Sequence, residues 1–128
     1  MHNRDRICRR GESSRTFRSL ALGLLLVAES AAAGPTFVVN SVADVPAGPN
    51  TTDGICETAT GNGVCTLRAA IMEANSSVDA IVRVPAGFYA FTRPATPGVH
   101  PENGDLDVLA RMKIEGDGPS VSVIDASD

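Results

Sequence analysis

The sequence is poor in the residues that most often build an active site or anchor a large core. Its 128 residues include no Trp, one Tyr, four Phe, two His and three Cys. So few histidines argue against a Ser-His-Asp catalytic set and against a histidine-rich metal site. No uncharged stretch reaches the roughly 20 residues that a membrane-spanning helix requires. With 43% hydrophobic and 20% charged residues, the composition excludes a disordered tail and fits one small folded domain.

Residues 1–33 differ from the rest in charge and predict a secretory signal peptide. Six arginines precede an uncharged run of nine residues, 20–28, and small residues then lead to Ala31 and Ala33. A basic start, a short apolar stretch and an Ala-x-Ala site are the three parts of an export signal. A short buried helix is the alternative interpretation of the apolar run. We expect cleavage after Ala33 and an exported chain of residues 34–128.

The expected exported chain is acidic. Residues 34–128 hold five basic and 12 acidic side chains, which gives a net charge of −7. Nucleic-acid phosphates bind basic surfaces, so this charge argues against a nucleic-acid partner. The excess of acid also leaves carboxylates as the main ionisable groups from which a site could be built.

Two cysteines, Cys56 and Cys65, remain once the signal peptide and Cys8 are removed. In the oxidising compartments outside the cytoplasm such a pair forms a disulfide by default. The bond would close a loop of about ten residues and contribute roughly 2.5–3 kcal/mol in the chain-entropy model. A metal site is the alternative, but two cysteines and a distant His100 make a poor zinc-binding set. We therefore predict a disulfide and no metal centre at these cysteines.

Residue patterns predict one helix among several short strands. Four apolar residues recur at the spacing of one helix face: Leu67, Ala70, Ile71 and Ala74. Thr66 is a suitable N-cap and Asn75 a suitable end. Runs of β-branched and aromatic residues predict strands over residues 36–42, 80–84, 88–92, 105–109, 112–115 and 120–124. Strands with this spacing fit a sandwich, a barrel or a solenoid, and the spacing does not choose among them.

The segment 63–75 resembles the CSLREA domain, a family named for a Cys-Ser-Leu-Arg-Glu-Ala stretch. Four positions match that stretch: Cys65, Leu67, Arg68 and Ala70. Two positions depart from it, with Thr66 in place of Ser and Ala69 in place of Glu. Five further segments are similar to the family, in order: 37–41, 53–56, 84–89, 104–108 and 114–118. The resemblance therefore covers essentially all of residues 35–125.

The resemblance implies a mainly β fold in an exported bacterial protein. Residues 34–79 would form a capping module of one strand, a loop and the short amphipathic helix. Residues 80–128 would then form the first coils of a right-handed parallel β-helix, as in pectin-lyase-like and polymorphic outer-membrane proteins. The first coil of such a fold has an open end that needs a cover. The helix, from Thr66 and Arg68 along its apolar face, would be that cover, pinned by the disulfide.

The other end of this fold would lie open at the last predicted strand, 120–124. Since no capping element follows that strand, we expect further β-helix coils or a partner chain to cover the edge. On this interpretation the sequence is the beginning of a longer fold.

Two groups of oxygen-bearing side chains are candidate sites. Asp105 and Asp107 would share one face of a strand about 6.5–7 Å apart, a spacing that suits Ca²⁺, carbohydrate binding or paired carboxylates for glycoside cleavage. A solvated outer face is the alternative. A second group lies in the loop over residues 43–63, called here the first loop, and could bind Ca²⁺ or form Asx turns: Asp44, Asn50, Asp53 and Glu57. Arg68 is expected to bond loop carbonyls or a carboxylate.

Two function classes follow from these expectations. The first is an exported structural or surface-interaction module that caps a β-helix and binds carbohydrate or a cell-surface partner, secreted or at the outer membrane of a bacterium. It needs no catalytic residue and no cofactor, with Ca²⁺ the one ion considered. The alternative is a fragment of a polysaccharide lyase or glycoside hydrolase on the same scaffold. The sequence shows no catalytic constellation, so we expect a module rather than an enzyme.

Overall fold

Five short strands and one helix make up the part of the chain that the computed structural model describes, residues 33–98 and 101–126. In chain order they are β1 (Thr36–Val38), α1 (Leu67–Ala74), β2 (Ala80–Val84), β3 (Gly87–Ala90), β4 (Met112–Gly116) and β5 (Ser122–Asp125). The described residues belong to one compact unit. The expected cleavage signal before Ala33, Cys8 and His100 lie outside the described residues.

The strands pair in parallel and form two small sheets, one with the order β1-β2-β4 and the other with the order β3-β5. Only Pro85 and Ala86 separate β2 from β3, yet the two strands belong to different sheets. β4 pairs with β2 and β5 pairs with β3, so the second pair of strands repeats the course of the first. The described strands form these two open sheets and no barrel, which removes one of the three architectures that the strand spacing allowed.

The strand residues alternate between the core and the outside, as a half-buried strand requires. In β2, Ala80, Val82 and Val84 are buried while Arg83 is exposed. Parallel pairing in register aligns Val82 with Phe37 of β1 and with Ile114 of β4. The inward-facing residues therefore form ladders that run across the sheet from strand to strand.

Helix α1 packs against β2 and β1 and closes the core on one side. It begins after Thr66, whose Oγ1 accepts a hydrogen bond from the Ala69 N–H at 3.1 Å and donates one to the Val45 carbonyl at 2.5 Å. Asn75 ends the helix. Seven of the eight helical residues are buried because the first loop covers the side that the strands do not reach. In the described ranges, no helix is long and apolar enough to cross a membrane.

The strand predicted over residues 105–109 is not formed. These residues run as a loop in which Val108 is 52% exposed. Their polar backbone groups are bound by side chains instead of a neighbouring strand, since the carbonyls of Asp105 and Asp107 accept hydrogen bonds from Arg68 and Asn75. The prediction of a strand over residues 105–109 was therefore wrong.

Four other predicted strands differ in extent from those observed. The strand expected over residues 88–92 is found at Gly87–Ala90, and that expected over residues 112–115 is found at Met112–Gly116. The first strand was expected over residues 36–42 but ends at Val38, after which a single parallel bridge joins Ser41 to Thr66. The last was expected over residues 120–124 and is found at Ser122–Asp125. The tight turn before it, in which the Val121 and Ser122 N–H groups both donate to the Gly118 carbonyl, delays the start of β5.

Candidate functional site

The disulfide between Cys56 and Cys65 is present and fastens the first loop to the start of α1, with the two Cα atoms 5.1 Å apart. Asn40, two residues after the end of β1, supports the same point. Its Oδ1 accepts a hydrogen bond from the Cys65 N–H at 2.8 Å, and its Nδ2 donates to the Gly63 carbonyl at 2.9 Å. Cys65 directly precedes the N-cap Thr66, so the bond fixes the entry of the chain into the helix.

Arg68 lies inside the protein, 1% exposed, and all five of its N–H groups have acceptors. Nε and Nη2 bind the two carboxylate oxygens of Asp44, at 2.6 and 3.3 Å, in a two-pronged ion pair. The remaining donors reach three backbone carbonyls: Pro101 at 3.1 Å, Gly104 at 2.6 Å and Asp105 at 3.3 Å. The expected partners of Arg68 were loop carbonyls or a carboxylate, and it binds both.

The side chain of Asp44 is buried with that of Arg68 and accepts further hydrogen bonds. Its Oδ2 accepts hydrogen bonds from the backbone N–H groups of Thr92 at 2.8 Å and Arg93 at 3.1 Å. Burial raises the pKa of Asp44, but the Arg68 hydrogen bond, the two N–H groups and the Arg68 charge outweigh it and bring the pKa below 3.8. The guanidinium carbon of Arg68 also lies 5.5 Å from the ring centre of Phe91. This cluster joins α1 to the first loop, to the chain after β3 and to the 101–105 loop.

Asn75 fixes the loop after Asp105 in a similar way. Its Nδ2 donates to the Asp107 carbonyl at 2.7 Å, and its Oδ1 accepts from the N–H groups of Leu109 at 2.8 Å and Ala110 at 3.3 Å. From the sequence, Asn75 was expected only to end the helix. A polar side chain at a helix end that faces a loop is a general signal for such a contact, but the sequence does not say which loop.

Asp105 and Asp107 contribute backbone carbonyls to these contacts, and neither lies in a strand. The shared strand face that would have set the spacing of their carboxylates is therefore absent. Of the four candidate oxygen ligands in the first loop, Asp44 is bound to Arg68. Asn50 donates to Asp53 at 2.8 Å, and Asp53 accepts the Ile55 N–H at 2.9 Å, which is an Asx turn.

Across residues 33–98 and 101–126, no three His, Cys, Asp or Glu side chains are grouped closely enough to hold a metal ion by themselves. Glu57, the fourth candidate of the first loop, accepts the Gly61 N–H at 2.8 Å. The four loop residues thus bind their own backbone and one another instead of converging on one point.

Glu73 is a buried carboxylate that the sequence patterns did not single out. It is 1% exposed, and neither oxygen has a hydrogen-bond partner among the described residues. Burial and the charges of Asp53 and Glu57 raise its pKa to about 6, while the Gly54 N–H acts in the opposite direction. Ala69, one turn earlier on the same side of α1, is also buried. Because Ala69 and Glu73 are four residues apart on the helix, a buried Ala69 is the sequence signal that could have predicted a buried Glu73.

A shallow depression of about 600 Å³ lies over the outer side of β2 and β4. Its charged lining consists of Arg83, Lys113, Glu115 and Asp117. Glu115 pairs with Lys113 at 2.6 Å and with Arg83 at 3.6 Å, so these three charges are already paired with one another. Asp105 and Asp107 do not line the depression.

No protein-family model, curated protein or solved structure matches this chain. The resemblance to the CSLREA domain thus depends on the residues quoted for it. The buried polar contacts of Arg68 and Asn75 bind segments of the chain to one another.

Proposed function

We propose that this chain is an exported capping module of the CSLREA type that begins a right-handed parallel β-helix. The observation that supports it best is a loss of burial along the ladders. In the first sheet Phe37 and Val82 are buried, whereas Ile114, aligned with them on β4, is 43% exposed. In the second sheet Tyr89 is buried and its partner Ile124 is 47% exposed. An apolar ladder that ends in exposed residues is an edge on which a further parallel strand can stack.

The opposite side of the stack supports the capping part of the proposal. There the apolar face of α1 belongs to the same core cluster as Phe37 and Val82. The disulfide fastens the start of this helix, and Arg68 and Asn75 bind it to the loops on either side. A covered end and an exposed end are what a terminal module of a stacked fold requires. Further parallel strands would cover β4 and β5.

Export is the second part of the proposal. A disulfide suits an oxidising compartment, and a basic, apolar and Ala-rich start suits a cleaved signal. We expect the protein recovered from the periplasm or culture medium of a bacterial host to begin at Gly34 and to contain no free thiol. N-terminal sequencing and thiol titration measure both. An intracellular protein with an intact N terminus and reduced cysteines would contradict export.

The proposed role of the module is to carry and protect a surface that binds carbohydrate or a cell-surface partner. The enzyme alternative relied on Asp105 and Asp107, whose backbone carbonyls hold Arg68 and Asn75 in place. The test incubates the exported protein with pectin-like and other polysaccharides, with and without Ca²⁺, and measures unsaturated uronides, reducing ends and retained protein. We expect binding without cleavage. Cleavage that is lost on Asp107→Ala would favour the lyase or hydrolase instead.

A further inference from the structure

The open edge of the first sheet is the strand β4. Among the described residues the strand order is β1-β2-β4, so β4 pairs with β2 on one side and with no strand on the other. Ile114, in the middle of β4, is 43% exposed at this edge. The unpaired backbone groups of an edge strand form a template for another strand. The side chains of β4 decide which strand fits there.

These side chains form a pattern that is complementary to its own reverse. Met112, Ile114 and Gly116 share one face of the strand, and Lys113 and Glu115 share the outer face. The Lys113 side chain is 70% exposed and that of Glu115 is 29% exposed, and their charged atoms lie 2.6 Å apart. Ile114 is thus flanked by a cation on one side and by an anion on the other.

We propose that a second copy of this chain pairs with β4 in antiparallel orientation about a two-fold axis at Ile114. In a pair centred there, Ile114 lies opposite the second copy's Ile114, and Lys113 lies opposite the second copy's Glu115. The symmetry repeats the charge pair on the other side of the axis. Opposite charges that face each other across two strands stabilise the pair, whereas like charges destabilise it. Met112 lies opposite Gly116, which has no side chain and leaves space for it.

Parallel arrangements of two copies fit this edge less well. If two β4 strands paired in parallel and in register, Lys113 would face Lys113 and Glu115 would face Glu115. If β1 of a second copy continued the present register beyond β4, Glu115 would face Val38, which carries no charge. That head-to-tail contact would also repeat from copy to copy, whereas the two-fold contact uses both edges and closes at a dimer. The charges of β4 therefore favour the antiparallel dimer.

The test is sedimentation velocity of the full exported protein over a concentration series. We expect a monomer–dimer equilibrium in the wild type. Lys113→Glu should raise the dissociation constant of the dimer by roughly ten-fold or more, because it turns both charge pairs into pairs of like charge. The double variant Lys113→Glu/Glu115→Lys has the net charge of the wild type and should restore the dimer, since each glutamate again faces a lysine. Far-UV circular dichroism at low concentration checks that each variant is folded.

Mixtures of the variants fix the orientation of the two strands. Lys113→Glu and Glu115→Lys should each dimerise weakly alone and form a heterodimer when mixed, which keeps the test decisive if the double variant does not fold. The wild type and the double variant should not associate with each other, because in antiparallel pairing lysine would face lysine and glutamate would face glutamate. Mixed dimers of these two proteins would show parallel pairing and overturn the proposal.

Three results with the wild type and Lys113→Glu would also overturn it. A wild-type mass that grows beyond the dimer would show head-to-tail stacking, and a dimer that Lys113→Glu leaves unchanged would place the contact elsewhere. A wild type that stays monomeric would exclude the dimer. The dimer depends only on the open edge and not on the capping function, so its failure would leave that function to its own tests.

Discussion

Arg68 shows at the scale of one residue how the module is held together. It connects α1 to Asp44 and to three carbonyls of another loop while it is itself buried. Removing one partner of a buried, hydrogen-bonded ion pair costs about 3–5 kcal/mol, because the other charge is left uncompensated. We expect this loss in the free energy of unfolding for Arg68→Met, measured by urea unfolding. The loss should be smaller for Arg68→Lys, which keeps the positive charge but not the five N–H donors of the planar guanidinium.

The control for Arg68 is a surface ion pair of the same type. Arg83 pairs with Glu115 at 3.6 Å, but its side chain is 61% exposed. Exposed pairs contribute about 0–1 kcal/mol, so Arg83→Met should stay within that range. Similar unfolding midpoints for Arg68→Met and Arg83→Met would mean that the buried cluster contributes no more than surface charge.

Asp44 predicts a loss of stability in acid. Its folded pKa lies below the ordinary value of 3.8, so its ion pair contributes stability above about pH 4 and loses that contribution as the pH falls through the folded pKa. Asp44→Asn should be less stable than the wild type at neutral pH. Its free energy of unfolding should also fall less between pH 5 and pH 2, as urea titrations at fixed pH would measure. Parallel curves for the two proteins would refute the assignment.

Glu73 predicts the opposite pH dependence. Its pKa is raised from 4.5 to about 6, so the folded state holds the proton more tightly than the unfolded state. The stability from this group is complete below about pH 4.5 and is lost as the pH rises through about 6. The contribution of this group should be lost in the wild type from pH 4.5 to pH 7, while Glu73→Gln should show no such loss. Urea unfolding along this pH range compares the two proteins.

At the scale of elements, the first loop depends on its disulfide. The loop has few apolar contacts, and the bond closes it over a sequence separation of nine residues. Cys56→Ser should cost roughly 2.5–3 kcal/mol in the chain-entropy model, which lowers the Tm by roughly 10–20 °C for a domain of this size. Calorimetry with and without reductant measures this effect. Reductant should lower the Tm of the wild type to that of Cys56→Ser and leave the variant unchanged, and a wild-type Tm indifferent to reductant would contradict the prediction.

The elements that sequence predicted well are those with local signals. The helix expected between Thr66 and Asn75 is found at Leu67–Ala74, because its spacing and caps lie within ten residues. The strand over residues 80–84 is found with the same bounds, since its alternation and flanking turns are equally local. Export and the right-handed β-helix remain predictions.

The long-range contacts could not be predicted in the same way. Asp44 pairs with Arg68 across 24 residues, and no sequence pattern around either residue predicts the other as its partner. The 105–109 segment alternates Leu106 and Val108 as a strand does, but Arg68 and Asn75 bind its carbonyls and hold it as a loop. The sequence gives the type of contact that a residue can make, whereas the fold decides which partner it reaches.

At the scale of the whole molecule, the decisive feature is that α1 covers one side of the stacked strands while the other side is exposed. Val82 and Ile114 occupy the same ladder, but Val82 is buried between strands while Ile114 is exposed at the edge. A free chain with such an edge should self-associate as its concentration rises, because unpaired strand edges recruit other strands. Sedimentation velocity over a concentration series measures this association.

Two lysine substitutions then test the edge. Ile114→Lys should reduce the self-association and change the free energy of unfolding by less than about 1 kcal/mol, since its side chain can reach water. Val82→Lys should cost more than about 4 kcal/mol because it buries an unpaired charge. If both lysines destabilise the fold equally, Ile114 is buried in solution and the edge is already covered. If Ile114→Lys leaves self-association unchanged, β4 is not the surface on which the next strand stacks, and the proposed direction of growth is wrong.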